Sequence, residues 1–246
     1  MQFLPALNPR DTALFLDFDG TLAELAAQPD AVRVPARLVP LLGHLSEYLQ
    51  GALALVTGRR LAELDALLSP LRLPAAAEHG AVRRSADGRQ LSVPAPDLQA
   101  LTRVARALAR QHAGLQVELK TAAVALHYRQ APALEKLCLQ HLSLAVMCTP
   151  GVELLQGKCV IEAKPLGVSK GSAIAAFMRE PPFAGRTPWF AGDDTTDEAG
   201  FAWVQAAGGQ CLKVGTGPSL ARHRCASPQA LRGWLSDHLT TSHSQP

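Results

Sequence analysis

The chain has 246 residues, 48% hydrophobic and 18% charged, with a formal net charge of +3; this is material for one large domain or for a domain carrying an insertion. The lysines and arginines are dispersed and aromatic residues reach only 5%, so there is little for stacking bases and no nucleic-acid partner is expected. No 18-residue apolar run and no charged-then-apolar leader is present, so neither a membrane partner nor a signal peptide is expected. Five cysteines without CxxC or metal-ligand spacing read as reduced thiols of a cytoplasmic protein.

The first predicted strand covers 13–18 and runs into Asp17-Phe18-Asp19-Gly20-Thr21-Leu22. Successive side chains of a strand point to opposite faces, so Asp17 and Asp19 are predicted to project together at the carboxyl end of a buried strand. Open α/β sheets bind ligands at that end. The plain alternative is an acidic corner that only caps a turn. Pro35 opens a helical pattern through Leu38, Leu41, Leu42, Leu45 and Leu49, which Gly51 stops. A short apolar strand at 52–56 leads to Thr57-Gly58-Arg59, and a second helix follows through Leu61, Leu64, Leu67 and Leu68. Strand, helix, strand, helix with short loops argues for a doubly wound, mostly parallel α/β sheet.

After Gly80 the texture changes. A hairpin is predicted over 82–92, turning at Asp87-Gly88, and then a helix that ends near His112-Ala113-Gly114. Alternating segments at 116–120, 122–128, 145–149, 152–156 and 159–163 read as strands, with a helix at 132–144 among them. This looks like a separate α+β layer. The predicted division is therefore a core of 1–84 and 166–246, interrupted by an inserted domain at 85–165. The core resumes at Lys170-Gly171, with Ser169 as the N-cap of a helix to Met178. A strand at 187–191 ends in Gly192-Asp193-Asp194-Thr195-Thr196-Asp197-Glu198. A strand at 211–214 and a helix at 228–238 follow, and residues 240–246 are expected to be disordered.

Asp17/Asp19, Thr57-Gly58-Arg59, Lys170 and Asp193/Asp194/Asp197 all fall at predicted strand ends or helix starts, which converge on one crevice in a doubly wound sheet. Facing acidic clusters make a hard, all-oxygen site suited to magnesium. Thr57 and nearby N–H groups can donate to phosphate oxygens, and Lys170 is a compact cation for the same purpose. The chemistry such a set serves is phosphoryl transfer, in which charge spreads over the phosphoryl oxygens. Asp17 is the expected nucleophile and Asp19 the expected acid/base, the cation keeping Asp17 ionised while a drier setting lets Asp19 hold a proton. The Asp-x-Asp-Gly run lacks the remaining positions of a calcium loop, and the eight histidines show no zinc spacing. His79 and His127 are expected to be structural.

Asp17-Phe-Asp-Gly-Thr-Leu, Thr57-Gly-Arg, Lys170-Gly and Gly-Asp193-Asp-Thr-Thr-Asp197-Glu resemble the four motifs of the haloacid dehalogenase superfamily of phosphatases. The insertion resembles that superfamily's α/β cap domains. More narrowly, the segments at 77–81, 117–120, 126–129 and 157–162 resemble the trehalose-6-phosphate phosphatases of trehalose biosynthesis. The resemblance implies the Rossmann-like haloacid dehalogenase fold, Asp17 as nucleophile and Asp19 as acid/base. It implies magnesium held by Asp17, the Asp19 carbonyl and Asp193, with Asp194 and Asp197 in support. Thr57 and Lys170 would hold the phosphate, with Gly58 and Arg59 also in the substrate site. Lys120, Arg129, Lys158 and Glu162 would contact the disaccharide; without the resemblance they read as solvated strand-face charges. The expected partner is a small sugar phosphate, trehalose 6-phosphate, acted on by a monomer. Alternatives are a capped phosphatase of another sugar phosphate, such as sucrose 6-phosphate or mannosyl-3-phosphoglycerate, or a non-catalytic sugar-phosphate sensor. A phospho-accepting regulatory domain is disfavoured by the long insertion.

Overall fold

A computed structural model describes residues 6–26 and 31–241. The chain divides into two compact units, Met1–Leu91 with Ser169–Pro246, and Ser92–Val168. In chain order, β1 (Thr12–Leu16), α1 (Leu38–Tyr48), β2 (Leu53–Val56), α2 (Leu61–Leu68) and β3 (Ala75–Ala77) lead to a hairpin of β4 (Val82–Arg84) and β5 (Gln90–Ser92). The inserted unit holds α3 (Gln99–Gln111), β6 (Gln116–Leu119), β7 (Val124–His127), α4 (Glu135–Met147), β8 (Val152–Gly157) and β9 (Val160–Pro165). The first unit resumes with α5 (Lys170–Phe177), β10 (Thr187–Gly192), α6 (Glu198–Ala206), β11 (Gln210–Val214), β12 (His223–Cys225) and α7 (Pro228–Thr241).

The first unit is built on an eight-stranded sheet in the order β12-β11-β10-β1-β2-β3-β4-β5. It is parallel from β12 to β3, and β4 reverses against β3. All five residues of β1 are buried, as expected of a parallel strand covered on both faces. Phe15 stacks on Phe183 at 5.5 Å and meets Phe177 at 5.9 Å. Each such ring, fully buried, stabilises by about 1.5–3 kcal/mol. Leu38, Leu42 and Leu45 form the buried stripe of α1, the spacing that marks it as a helix in the sequence. This packing anchors the central strand and thereby fixes where its carboxyl end emerges.

The inserted unit is an antiparallel sheet, β6-β7-β9-β8. Val124, Leu126, Ile161 and Ala163 share a core with Leu101, Ala105 and Leu108 of α3 and Cys138 and Leu142 of α4. Alternation sends Glu118, Ala125 and Glu162 to the other face, in one row across β6, β7 and β9.

Several expectations are corrected. Residues 145–147 end α4 and are not a strand; Ala145 and Val146 pack on the inserted core in register with Leu142, so helical spacing outweighs their apolar run. The hairpin at 82–92 belongs to the eight-stranded sheet, and the inserted unit runs from Ser92 to Val168 where the sequence suggested 85–165. Three elements went unread. β3 is Ala-Ala-Ala, without branched side chains to signal a strand, and its neighbours on both sides define it. β12 is only three residues long. α6 contains Gly200, where an added Cβ would lie 2.4 Å from the Phe190 ring, so close packing has displaced a helix-favouring residue. β1 ends at Leu16, two residues before the predicted limit. Disorder was expected from 240, but α7 continues to Thr241; 242–246 lie outside the described residues. No helix among the described residues is long and apolar enough to cross a membrane.

Candidate active site

Asp17 is the first residue beyond β1, and its N–H still donates to Ala191 O of β10 at 2.9 Å. The chain then turns sharply, the Phe18 carbonyl accepting from the N–H groups of Leu22 and Ala23, both at 2.9 Å. Gly20 makes this possible twice over. Its φ is +77°, and an added Cβ would lie 2.1 Å from Asp193 Oδ2, so only glycine admits both the turn and the neighbouring carboxylate. The Thr21 hydroxyl lies between Asp17 Oδ2 (3.2 Å) and Asp193 Oδ1 (3.4 Å).

Lys170 opens α5, positioned by a capping box in which Ser169 and Ser172 exchange side-chain-to-backbone hydrogen bonds. Its ammonium donates to Asp17 Oδ1 at 2.6 Å and to Asp197 Oδ1 at 2.7 Å. Asp197 Oδ2 accepts the N–H groups of Asp193 (3.0 Å) and Asp194 (2.9 Å), so both its oxygens are engaged within the protein. Oxygens of Asp17, Asp193 and Asp197 lie within 4.8 Å of one another. The Asp194 carboxylate accepts from Thr195 N at 2.8 Å and caps the turn that leads into α6.

The electrostatics follow from burial and crowding. Burial pushes the Asp17 carboxyl well above its ordinary range; Lys170 opposes this, while Asp197 and Asp193 add to it. Burial, then Asp197, pushes Asp193 up to about 6. Burial alone would lower Lys170, but Asp17 and Asp197 hold its ammonium above the ordinary range. An all-oxygen donor set with more acids than cations fits a hard divalent cation. Asp17 and Asp193, which converge on the Thr21 hydroxyl, could hold such an ion, while Asp197 is engaged by Lys170 and by the N–H groups of Asp193 and Asp194.

Asp19 has a different partner. Arg59 grips its carboxylate through two hydrogen bonds of 2.6 and 2.7 Å, with the guanidinium 5.8 Å from the Phe18 ring centre. The Asp19 side chain is 27% exposed against 6% for Asp17. This corrects the expected assignment of environments: Asp17 is the drier acid and Asp19 the wetter one. The reason is topological, since the sheet covers Asp17 while Asp19 stands within the turn from Phe18 to Ala23.

Thr57 follows β2 and is buried. Its N–H donates to Ala76 O at 2.8 Å and its hydroxyl accepts from Arg59 N at 3.2 Å. The turn Glu78–Gly80 braces this loop, His79 N donating to Thr57 O and Glu78 N to Arg59 O, both at 2.9 Å. Gly58 has no room for a side chain, because a Cβ there would lie 2.6 Å from the His79 ring. The backbone adopts φ of +49° at Glu78 and +57° at His79 to make this contact, a strain of the kind that clusters at functional sites. His79, expected to be structural, packs its ring against Gly58. The first unit therefore gathers Asp17, Asp19, Thr57, Gly58, Arg59, Lys170, Asp193, Asp194 and Asp197 at the strand ends.

A family model described as trehalose-phosphatase matches residues 15–227. The chain belongs to the trehalose-phosphatase family. It is 46% identical over 235 residues to the trehalose-6-phosphate phosphatase of Escherichia coli (strain K12), covering 95% of this chain and 88% of that protein. It is 45% identical over 240 residues to a probable trehalose-phosphate phosphatase of Sinorhizobium fredii, covering 95% and 91%. The solved C-terminal domain of the C. albicans trehalose-6-phosphate phosphatase superposes with a TM-score of 0.84 at 21% identity, over 97% of this chain and 98% of that one. That likeness shows a shared fold, the doubly wound, mostly parallel sheet with its inserted antiparallel unit.

In this trehalose-phosphatase family member, the four inserted-unit residues singled out from the sequence fall into two pairs. Lys120 Nζ donates to Glu162 Oε2 at 2.5 Å, with both side chains buried. Exposed Arg129 donates to the Lys158 carbonyl at 3.3 Å. Beside Lys120, a groove of about 530 Å³ runs along α3, lined by Gln99, Thr102, Arg103, Arg106 and Thr121. His127, read as structural, pairs with Glu118 at 2.9 Å. Sequence reasoning missed two residues at the acidic cluster. Thr21 stood inside the first motif without a role. Lys213, a lone lysine in the apolar β11, carried its own signal, since lysine is almost never buried without a partner.

Proposed function

We propose that this chain hydrolyses trehalose 6-phosphate to trehalose and inorganic phosphate through an aspartyl-phosphate on Asp17, with magnesium at Asp17 and Asp193. The observation that carries the reading is the buried Asp17–Lys170 pair inside a cluster of three carboxylates, in a chain 46% identical to a protein named trehalose-6-phosphate phosphatase. Phosphate monoesters resist hydrolysis so strongly that accelerations of up to roughly 10^21 are needed, and electrostatics must carry most of that.

In the first step a carboxylate oxygen of Asp17 forms a bond to phosphorus while the bond from phosphorus to the sugar oxygen breaks. Asp19 gives the departing alkoxide its proton. Asp19 then takes a proton from water, whose oxygen attacks phosphorus, and phosphate leaves with Asp17 restored. The wetter position of Asp19 suits a group that must meet both a leaving group and water. Its contact with Arg59 has to loosen for it to carry a proton, which frees the guanidinium for substrate. Magnesium, when bound, supplies positive charge against the carboxylates and the phosphoryl oxygens. Lys170 holds Asp17 in place, and the Thr57 hydroxyl, held by the Arg59 N–H, takes a phosphate oxygen together with the Gly58 N–H. Sugar recognition is assigned to Lys120, Arg129, Lys158 and Glu162. The five cysteines are free, and the reading places the enzyme in the cytoplasm as a monomer.

Phosphate release is the test, with trehalose 6-phosphate, sucrose 6-phosphate and glucose 6-phosphate supplied in parallel, each with magnesium and after chelation. Preference for trehalose 6-phosphate with loss of activity on chelation is expected. Equal rates on all three esters would overturn the substrate, and full activity in chelator would overturn the metal.

A further inference from the structure

Lys213 is buried in a strand whose neighbouring residues Cys211, Leu212 and Val214 are apolar and also buried. Parallel pairing sets it opposite Gly192, so its side chain reaches just past the end of β10. There its ammonium donates to the backbone carbonyl of Asp193. The N–H of the same residue donates to Asp197 Oδ2 at 3.0 Å. Asp193 is therefore held on both sides of its Cα, by an ammonium on the carbonyl and a carboxylate on the amide. Only its side chain is left to turn, and Thr21 and the bare backbone of Gly20 receive it. A buried ammonium with an apolar strand around it is expensive, and a lysine that served stability alone would be better replaced by leucine or methionine.

We propose that Lys213 is the positioning residue that fixes the backbone of Asp193 and so sets the carboxylate for cation binding. The inference rests on the reading that Asp17 and Asp193 hold a divalent cation, and it adds a residue outside the four motifs. Residues that orient metal ligands typically contribute a factor of about 10–100 in metal affinity.

The test is magnesium binding to the full chain without substrate, by calorimetry and by the rise in Tm with magnesium. In Lys213→Met the dissociation constant is expected to rise about tenfold or more, and in Lys213→Arg, which keeps a charged donor, by less. At saturating magnesium, Lys213→Met is expected to keep kcat and the KM for trehalose 6-phosphate near wild type. Unchanged magnesium affinity in folded Lys213→Met would overturn the proposal. So would a loss of kcat at saturating magnesium with affinity unchanged, which would put Lys213 in the chemical step. If Lys213→Met does not fold, Lys213→Gln decides by the same titration, tenfold weakening supporting the proposal and wild-type affinity overturning it. Failure of the wild-type chain to bind magnesium would remove the underlying site reading instead, and the two failures are thereby told apart.

Discussion

The two units of this chain handle buried charge in opposite ways. In the first, the carboxylates of Asp17, Asp193 and Asp197 crowd around Lys170, and the excess is negative. In the inserted unit acids have basic partners: Lys120 pairs with Glu162 where both side chains are buried, and His127 with Glu118 and Lys164 with Glu153 where the acids are partly exposed. The consequences differ in sign. Asp17 and Asp193 are pushed up, by burial first and then by their acidic neighbours. Glu118 is also desolvated, but the hydrogen bond from His127 and the charge of Lys120 bring it below its ordinary range. Buried acids left in excess are costly without a cation, and their retention marks a place where charge is to be exchanged. Charges that cancel locally hold a sheet face in shape.

The largest expected effect comes from cutting into the excess. Asp17→Asn should reduce turnover by on the order of 10^4-fold or more, since the proposed reaction forms its covalent bond on the Asp17 carboxylate. Circular dichroism should show an intact fold, because a neutral amide relieves repulsion from Asp193 and Asp197. Near-normal turnover would exclude covalent catalysis by Asp17.

An intermediate effect is expected in the balanced unit. Lys120→Met leaves Glu162 as a buried carboxylate without that partner, and losing one member of a buried pair costs about 3–5 kcal/mol. Tm should therefore fall, while kcat at saturating substrate changes much less than KM for trehalose 6-phosphate. Steady-state kinetics beside a melting curve check this, and an unchanged KM would remove Lys120 from sugar recognition.

The smallest effect is a pH trend. Asp193 is raised from 3.8 to about 6 in the folded protein, so between those values the folded state binds more protons than the unfolded chain. Stability from this group is then present at low pH and lost as pH rises through about 4 to 6. Asp17 acts in the same direction. In chelator, Tm should decline across that window, magnesium should flatten the decline, and Asp193→Asn should reduce it. A Tm that rises through the window in chelator, or an Asp193→Asn slope equal to wild type, would contradict the assignment.

Much of the fold and most of the core site could be read from the residues, and the reasons are local. A buried parallel strand is a continuous apolar run, helices show their buried stripe, and glycines at 20, 58 and 192 mark where chains must pass close. Gly192, like Gly20, stands against a carboxylate, since a Cβ there would lie 2.3 Å from Asp197 Cγ. Residues 145–147 misled because three apolar residues carry no period of their own, and Ala75–Ala77 because alanine has no strand preference to display.

By itself, the sequence determined which acids, lysine and threonine stand at strand ends, because chain order and strand period place them there. The tertiary structure decided how they are shared. Asp17 finds Lys170 across 153 positions of chain and Asp19 finds Arg59 across 40. Which acid is dry and which is wet follows from how strands and turns cover them. Lys213 reaches Asp193 from 20 positions away only because β11 lies beside β10. Partner choice depends on which elements become neighbours, and burial sets what each charge costs; both exist only once the chain has folded.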